Sequence, residues 1–253
     1  MTQRGEKMAP SSKVRQRAHE RRAQRRRQQQ MRVMIGIGVG ALILAALLIL
    51  ISRPPDTSVA ETGIDYTGLE QSIDDSLGAP GYVLGNPDAA VTLVDYSDFS
   101  CPHCRDLAPV IHRLVDEYVR DGRLRVVYKS VSFVNPPTSE AATSAMICAA
   151  EQGKAWEMHD QIWAINEDSG PGAYTQAVFA ARAAGLGLDS GQFNSCYTSA
   201  ETRSIIEAIN AEASGRGVVG TPTIFVNDQH VPNTLPDEMY LRLVDAIQAA
   251  LGS

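Results

Sequence analysis

The sequence predicts an α/β domain carrying a helical insert, preceded by one transmembrane helix. Three observations lead there. Residues 33–51 run 19 positions without a charge. A short apolar strand leads through a four-residue loop into a Cys-Pro-His-Cys helix at 101–104. Late in the chain a strand, a tight turn, a resumed strand and an amphipathic helix close the pattern. The 253 residues are 44% hydrophobic and 21% charged, which is globular rather than disordered or collagen-like. That length can bury a sizeable core.

The apolar stretch comes first. As a helix it spans about 28 Å, close to a hydrocarbon core. The net charge of −6 hides an asymmetry, because residues 1–32 hold 11 of the 23 Lys+Arg. A basic flank of this kind keeps the N-terminus in the cytoplasm. Expected boundaries are a basic cytoplasmic tail at 1–32, an anchor at 33–51, an extracytoplasmic linker at 52–80 and a domain at 81–253. A cleaved signal peptide, with Ser58-Val59-Ala60 as its site, is the competing reading. The apolar run is longer than such peptides carry, so an uncleaved single-pass anchor in the cell membrane is expected. Gly36 and Gly40 form a GxxxG, read as ordinary small-residue usage rather than a packing motif. The rest of the chain is acidic, which excludes nucleic acid as a partner of the domain.

All four cysteines, Cys101, Cys104, Cys148 and Cys196, lie beyond the apolar stretch, in a compartment that permits disulfides. The Cys101–Cys104 spacing at a helix start brings two sulfurs within bonding reach. It also sets the first where unpaired N–H groups favour an anion. Zinc needs a second pair or histidines at ligand spacing, and neither is present, so no metal site is expected. Cys148 and Cys196 have no partner at CxxC spacing and read as a structural disulfide rather than a second redox centre. His112, His159 and His230 are scattered, with His159 on a helix face. No cofactor is expected.

The supporting elements follow. Residues 91–96 (VTLVDY) read as a buried strand, and Leu107, Val110, Ile111, Leu114, Val115 and Tyr118 repeat at helical spacing. Pro102 suits the first helical turn. Leu124, Val126 and Tyr128 alternate as a strand. Residues 224–226, a turn at Asn227-Asp228 and Val231 form a hairpin. Tyr240, Leu243, Val244, Ile247 and Leu251 line a last helix. This order is that of the thioredoxin fold.

Residues 82–104 (YVLGNPDAAVTLVDYSDFSCPHC), 151–163 (EQGKAWEMHDQIW) and 220–227 (GTPTIFVN) resemble the DsbA-like branch of the thioredoxin superfamily. The resemblance covers about residues 81–251. It implies a thioredoxin core with a helical insert at about 138–215, whose Trp156, Ile162 and Trp163 serve as core. It makes Gly220-Thr221-Pro222-Thr223 the cis-proline loop facing the CxxC, with Thr221 and Pro222 binding substrate. It places Asp95, six residues before Cys101, where the family has an acid that moves protons for the buried cysteine. It also favours the Cys148–Cys196 pairing.

The roles expected are these. Cys101, the more exposed thiol, is the nucleophile, with His103 supporting its thiolate. Cys104 is buried and resolves the mixed disulfide. The resemblance implies an oxidase that introduces disulfides into exported client proteins bearing thiols. Such an oxidase is itself re-oxidised by a quinone-linked membrane protein of the DsbB or vitamin K epoxide reductase type. A reductase or isomerase of the same fold is one alternative. A non-catalytic thioredoxin-like binding module is another.

Overall fold

Strand β3, Val91–Ser97, is the central element, and six of its seven residues are buried. The structure, a computed structural model, describes residues 64–252 and, before them, residues 27, 31, 32, 34–36, 40 and 42–44. The chain divides into two units, 1–54 and 55–253. In the first, the described residues are helical and exposed. The expected anchor at 33–51 lies largely outside the described residues. Among these, no helix is long and apolar enough to cross a membrane.

The second unit is built on a six-stranded sheet. Its strands are β1 (Gln71–Asp74), β2 (Gly81–Leu84), β3, β4 (Leu124–Ser130), β5 (Thr223–Val226) and β6 (Gln229–Val231), in the order β1-β2-β4-β3-β5-β6. Strands β3 and β4 are parallel, so the chain must cross over between them. Helix α1, Pro102–Leu114, makes that crossing and ends in a π turn, Val115–Val119. Strand β5 runs antiparallel to β3 and pairs with β6 through Asn227 and Asp228, both at positive φ. Two such residues are what a tight hairpin turn requires, and Asn and Asp tolerate them best.

Side chains alternate across β3. Val91, Leu93 and Asp95 face α1 and the last helix, α7 (Pro236–Leu251), which buries Met239, Leu243 and Ile247 at four-residue spacing. Val94 and Tyr96 face the other way, against Ile209 and Ala213. Those two belong to α6 (Ala200–Gly215), the end of the helical insert. The insert opens with α2 (Pro136–Ala150) and α3 (Ala155–Ser169), followed by α4 (Gln176–Gly185) and α5 (Ser190–Tyr197). Thr175, Asp189 and Ser199 start α4, α5 and α6 by accepting from the N–H of Val178, Gln192 and Thr202. Trp156, Ile162 and Trp163 are buried in the core as expected.

One expectation changes. Residues 64–80, read as part of a linker, belong to the fold: β1 pairs with β2, and the Tyr66 hydroxyl donates to Asp160 Oδ2 at 2.7 Å. A four-residue edge strand, QSID, shows no apolar alternation by which to recognise it. β2 (GYVL) was passed over for the opposite reason, since all four residues are buried and nothing alternates.

Cys148 on α2 and Cys196 on α5 form a disulfide, with a Cα–Cα distance of 5.7 Å across a sequence separation of 48. Closing a loop of that size restricts the unfolded chain by about 4 kcal/mol. Replacing both cysteines by Ala is expected to lower the unfolding free energy by about that amount, measured in guanidinium. A loss under about 1 kcal/mol would mean the bridge is nearly silent.

Candidate active site

Cys101 is the N-cap of α1, with an extended backbone at φ −88° and ψ 120°. Pro102 takes the first helical position, where a missing N–H leaves nothing unsatisfied. The N–H groups of His103 and Cys104 make no capping hydrogen bond to the Cys101 sulfur, but they lie close enough to favour its thiolate. The thiol can donate to the Thr221 carbonyl at 3.3 Å. As a thiolate it accepts instead. The Cys104 thiol contributes most, and burial opposes it. The nearby Thr221 side chain, which makes no hydrogen bond of its own, and the two backbone N–H groups then help to bring the Cys101 pKa down to about 5.

Cys104 has the opposite environment. Burial, the neighbouring Cys101 sulfur and the Asp95 carboxyl all push its thiol far above the ordinary range. Its sulfur accepts the N–H of Asp98 at 3.5 Å. Both thiols are free. Cys101 is the more exposed of the two thiols, 5% against 2% for Cys104, yet it too is buried. The loop at the cis Thr221–Pro222 bond covers it, which adjacency in sequence cannot reveal.

His103 is exposed. Among the described residues no hydrogen bond joins its imidazole to Cys101, so its contribution to the sulfur is its backbone N–H. The imidazole instead rims a groove of about 520 Å³ with Leu107, Thr221, Pro222, Leu235 and Met239.

Asp95 lies beneath the two cysteines on β3, 2% exposed. Burial, and then the charge of Cys101, raise its pKa to about 7. A carboxyl there can change protonation at neutral pH, which a proton carrier needs.

Asp98 was missed at the sequence level. Its fully buried carboxylate takes four donors. Oδ1 accepts from the Ser100 N–H at 2.8 Å and the Ser139 hydroxyl at 2.7 Å. Oδ2 accepts from the N–H groups of Phe133 and Val134, both at 2.8 Å. Thr138 bonds Ser100 at 2.8 Å, while Asn166 and Tyr174 donate to the Phe99 carbonyl. The loop presenting Cys101 is thus fixed by the insert. The Asp-x-Ser pattern at 98–100, an Asx turn, was the one local signal.

The histidines also depart from expectation. His112 and His159 come together on Asp160 Oδ1, at 3.0 and 2.8 Å, and His159 is 2% exposed. Burial pushes Asp160 up, but the two histidine hydrogen bonds outweigh it and hold the carboxyl well below its usual range. The three side chains are close enough to surround a cation. Trp163 Nε1–H, however, donates to His159 Nε2 at 3.0 Å. Nε2 is then the lone-pair nitrogen and Nδ1 carries the proton. A protonated Nδ1 cannot bind a metal, so the hydrogen bonds favour a clamp between α1 and α3.

A thiol of lowered pKa at a helix N-terminus, a second, buried thiol one turn on, a buried acid and a cis-proline loop come together as one dithiol site. The thioredoxin family model matches residues 79–246, and the chain belongs to that family. The chain is similar to proteins described as thioredoxin-like or thiol–disulfide oxidoreductases. It is 33% identical over 147 residues to the Na(+)/H(+) antiporter NhaA 3 of Salinispora tropica, covering 58% of this chain and 21% of that protein. The chain thus spans about a fifth of that relative's length. It is 26% identical over 148 residues to a probable disulfide bond formation protein D of Bacillus anthracis, 57% of this chain and 68% of that one. Oxidised BdbD from Bacillus subtilis superposes with a TM-score of 0.63 at 20% identity, over 72% of this chain and 96% of that one, a likeness of fold.

Two measurements check these environments. Thiolate absorbance near 240 nm should appear with a midpoint at about pH 5, vanish in Cys101→Ser, and move to higher pH in Cys104→Ala, which removes the strongest donor. Asp95→Asn should stabilise the reduced protein at high pH only. A buried acid whose folded pKa is raised costs nothing below the ordinary 3.8, and its cost is complete above about 7. The gain should be about 4 kcal/mol at pH 8 and near zero at pH 3.5, by denaturant unfolding. Equal effects at both pH values would argue against a buried neutral carboxyl.

Proposed function

We propose that the chain is a disulfide oxidase, held at the membrane by residues 33–51, whose extracytoplasmic domain oxidises exported proteins. The single observation that carries the redox direction is the contrast between the two sulfurs, one anionic near pH 5 and the other held as a thiol. The lowered Cys101 pKa stabilises the reduced pair at every pH above about 5, increasingly so up to the ordinary thiol range. A stabilised reduced form makes the disulfide a stronger oxidant. Similarity to the Bacillus anthracis probable disulfide bond formation protein D supports the same direction.

The chemistry follows. A client thiolate attacks Cys101 Sγ in the disulfide, and the Cys101–Cys104 bond breaks. Cys104 leaves as a thiolate in a setting that disfavours it, and Asp95 supplies the proton. A second client thiolate then attacks the client sulfur of the mixed disulfide, and Cys101 leaves as a thiolate stabilised at the helix N-terminus. Thr221 and Pro222 hold the client beside Cys101, with the peptide extended along the groove. A quinone-linked membrane protein of the DsbB or vitamin K epoxide reductase type restores the disulfide. The uncharged 33–51 stretch and its basic flank support the anchor and the orientation.

The deciding measurement is the reduction potential of the Cys101–Cys104 couple in the full chain, equilibrated with glutathione. A value above about −180 mV is expected of a disulfide donor. A value near about −270 mV would make the protein a reductant of its clients. Full function in Cys101→Ser would instead mean a binding module.

A further inference from the structure

Two buried polar atoms beside Cys104 have no protein partner in hydrogen-bonding geometry: Asp95 Oδ1 and the Tyr128 hydroxyl. They are neighbours by strand register, since Asp95 on β3 pairs with Tyr128 on β4. Residues paired across adjacent strands point to the same face, so both side chains lie under α1. Tyr128 is 2% exposed, and its ring packs on Phe99, Trp156 and His159 with centroids 5.4, 6.1 and 4.7 Å away. Those ring contacts explain an aromatic residue there; none of them uses the hydroxyl. Leaving two such oxygens unsatisfied in a core is costly, so buried pairs of this kind are bridged by ordered water.

We propose that Tyr128 is a positioning residue for proton transfer at Cys104. Its hydroxyl, joined to Asp95 Oδ1 by one water molecule, holds the Asp95 carboxylate in the ionised form that accepts the Cys104 proton.

The step it serves is closure of the Cys101–Cys104 disulfide. Cys104 gives its proton to Asp95 and attacks Cys101 Sγ. The bond between Cys101 and the oxidant's sulfur breaks, and that sulfur leaves as a thiolate. One S–S bond forms as one breaks, and two electrons pass to the oxidant. Several ionisable groups face this position: Cys101 and Cys104 from α1, Asp98 from the loop, Tyr82 from β2 and His159 from α3. His159 donates Nδ1–H to Asp160, and the Asp98 carboxylate is filled by four donors. Tyr82 is buried, with its hydroxyl kept protonated, and Cys101 is bonded to the oxidant's sulfur at this step. Ser97 lies beside the Tyr128 oxygen on its acceptor side, and the Tyr128 hydroxyl hydrogen has no acceptor in hydrogen-bonding geometry.

This inference rests on the thiol–disulfide reading and on Asp95 as the acceptor. The test separates the three. The reduced full chain, purified in detergent, is mixed with glutathione disulfide, and closure is followed by tryptophan fluorescence across pH. Closure should accelerate through the pH where Asp95 ionises, at or somewhat below about 7, because the mixed disulfide removes the Cys101 charge that helps to raise it. Tyr128→Phe keeps the ring and should move the midpoint up by about one pH unit, slowing closure roughly tenfold below it. Incorporating 3,5-difluorotyrosine at position 128, a stronger donor, should move it down. Asp95→Asn should abolish the limb. If both changes at position 128 leave the midpoint in place while Asp95→Asn removes it, Tyr128 has no such role. If Asp95→Asn keeps the wild-type profile, the Asp95 assignment and this inference fall together. A wild-type chain that never closes overturns the exchange reading. Should Tyr128→Phe not fold, the fluorinated chain decides alone, and an unmoved midpoint overturns the proposal.

Discussion

One sulfur has to carry a negative charge at neutral pH while another, one helical turn away, has to keep its proton. Most of the architecture around α1 serves that asymmetry. Cys101 sits where the helix offers N–H groups without partners, and the Thr221–Pro222 loop closes over it. Cys104 sits a turn deeper, over a sheet face whose nearest ionisable group is itself a buried acid. Reversing the two environments would leave an anion buried against an acid and a protonated thiol at the helix N-terminus.

The helical insert makes that arrangement rigid. It reaches the loop before Cys101 from two sides. Ser139 donates to Asp98 from α2, and Asn166, on α3, donates to the Phe99 carbonyl. Asp160 then fastens α3 to α1 through His112 and to the N-terminal edge of the domain through Tyr66. The disulfide between α2 and α5 lies inside the insert and holds its helices together. The insert is therefore a second wall of the site as well as a cover for the sheet. A four-donor carboxylate such as Asp98 tolerates little movement, since any shift strands a buried polar group.

The dithiol motif, its position after a strand, the proline loop and the order of the major elements were all legible in the chain. Each depends on spacing along the backbone, and helix and strand periods act locally. β1 and β2 were not legible, because one is a four-residue polar edge and the other is buried on every side. Asp98 was half legible, as an Asx turn whose further partners are 35 to 41 residues away.

By itself, then, the sequence determined where the helix begins, how far apart its sulfurs stand and which face of β3 carries Asp95. Only the tertiary structure decided that Cys101 is covered, that His112 and His159 meet on one carboxylate, and that Tyr128 stands beside Asp95. The physical reason is register. Strands β3 and β4 are joined by a helix, and no local turn sets their alignment; it follows from how α1 packs across the sheet. Which side chains become neighbours across that pair, and which polar atoms are left without a partner, is fixed only when the core closes.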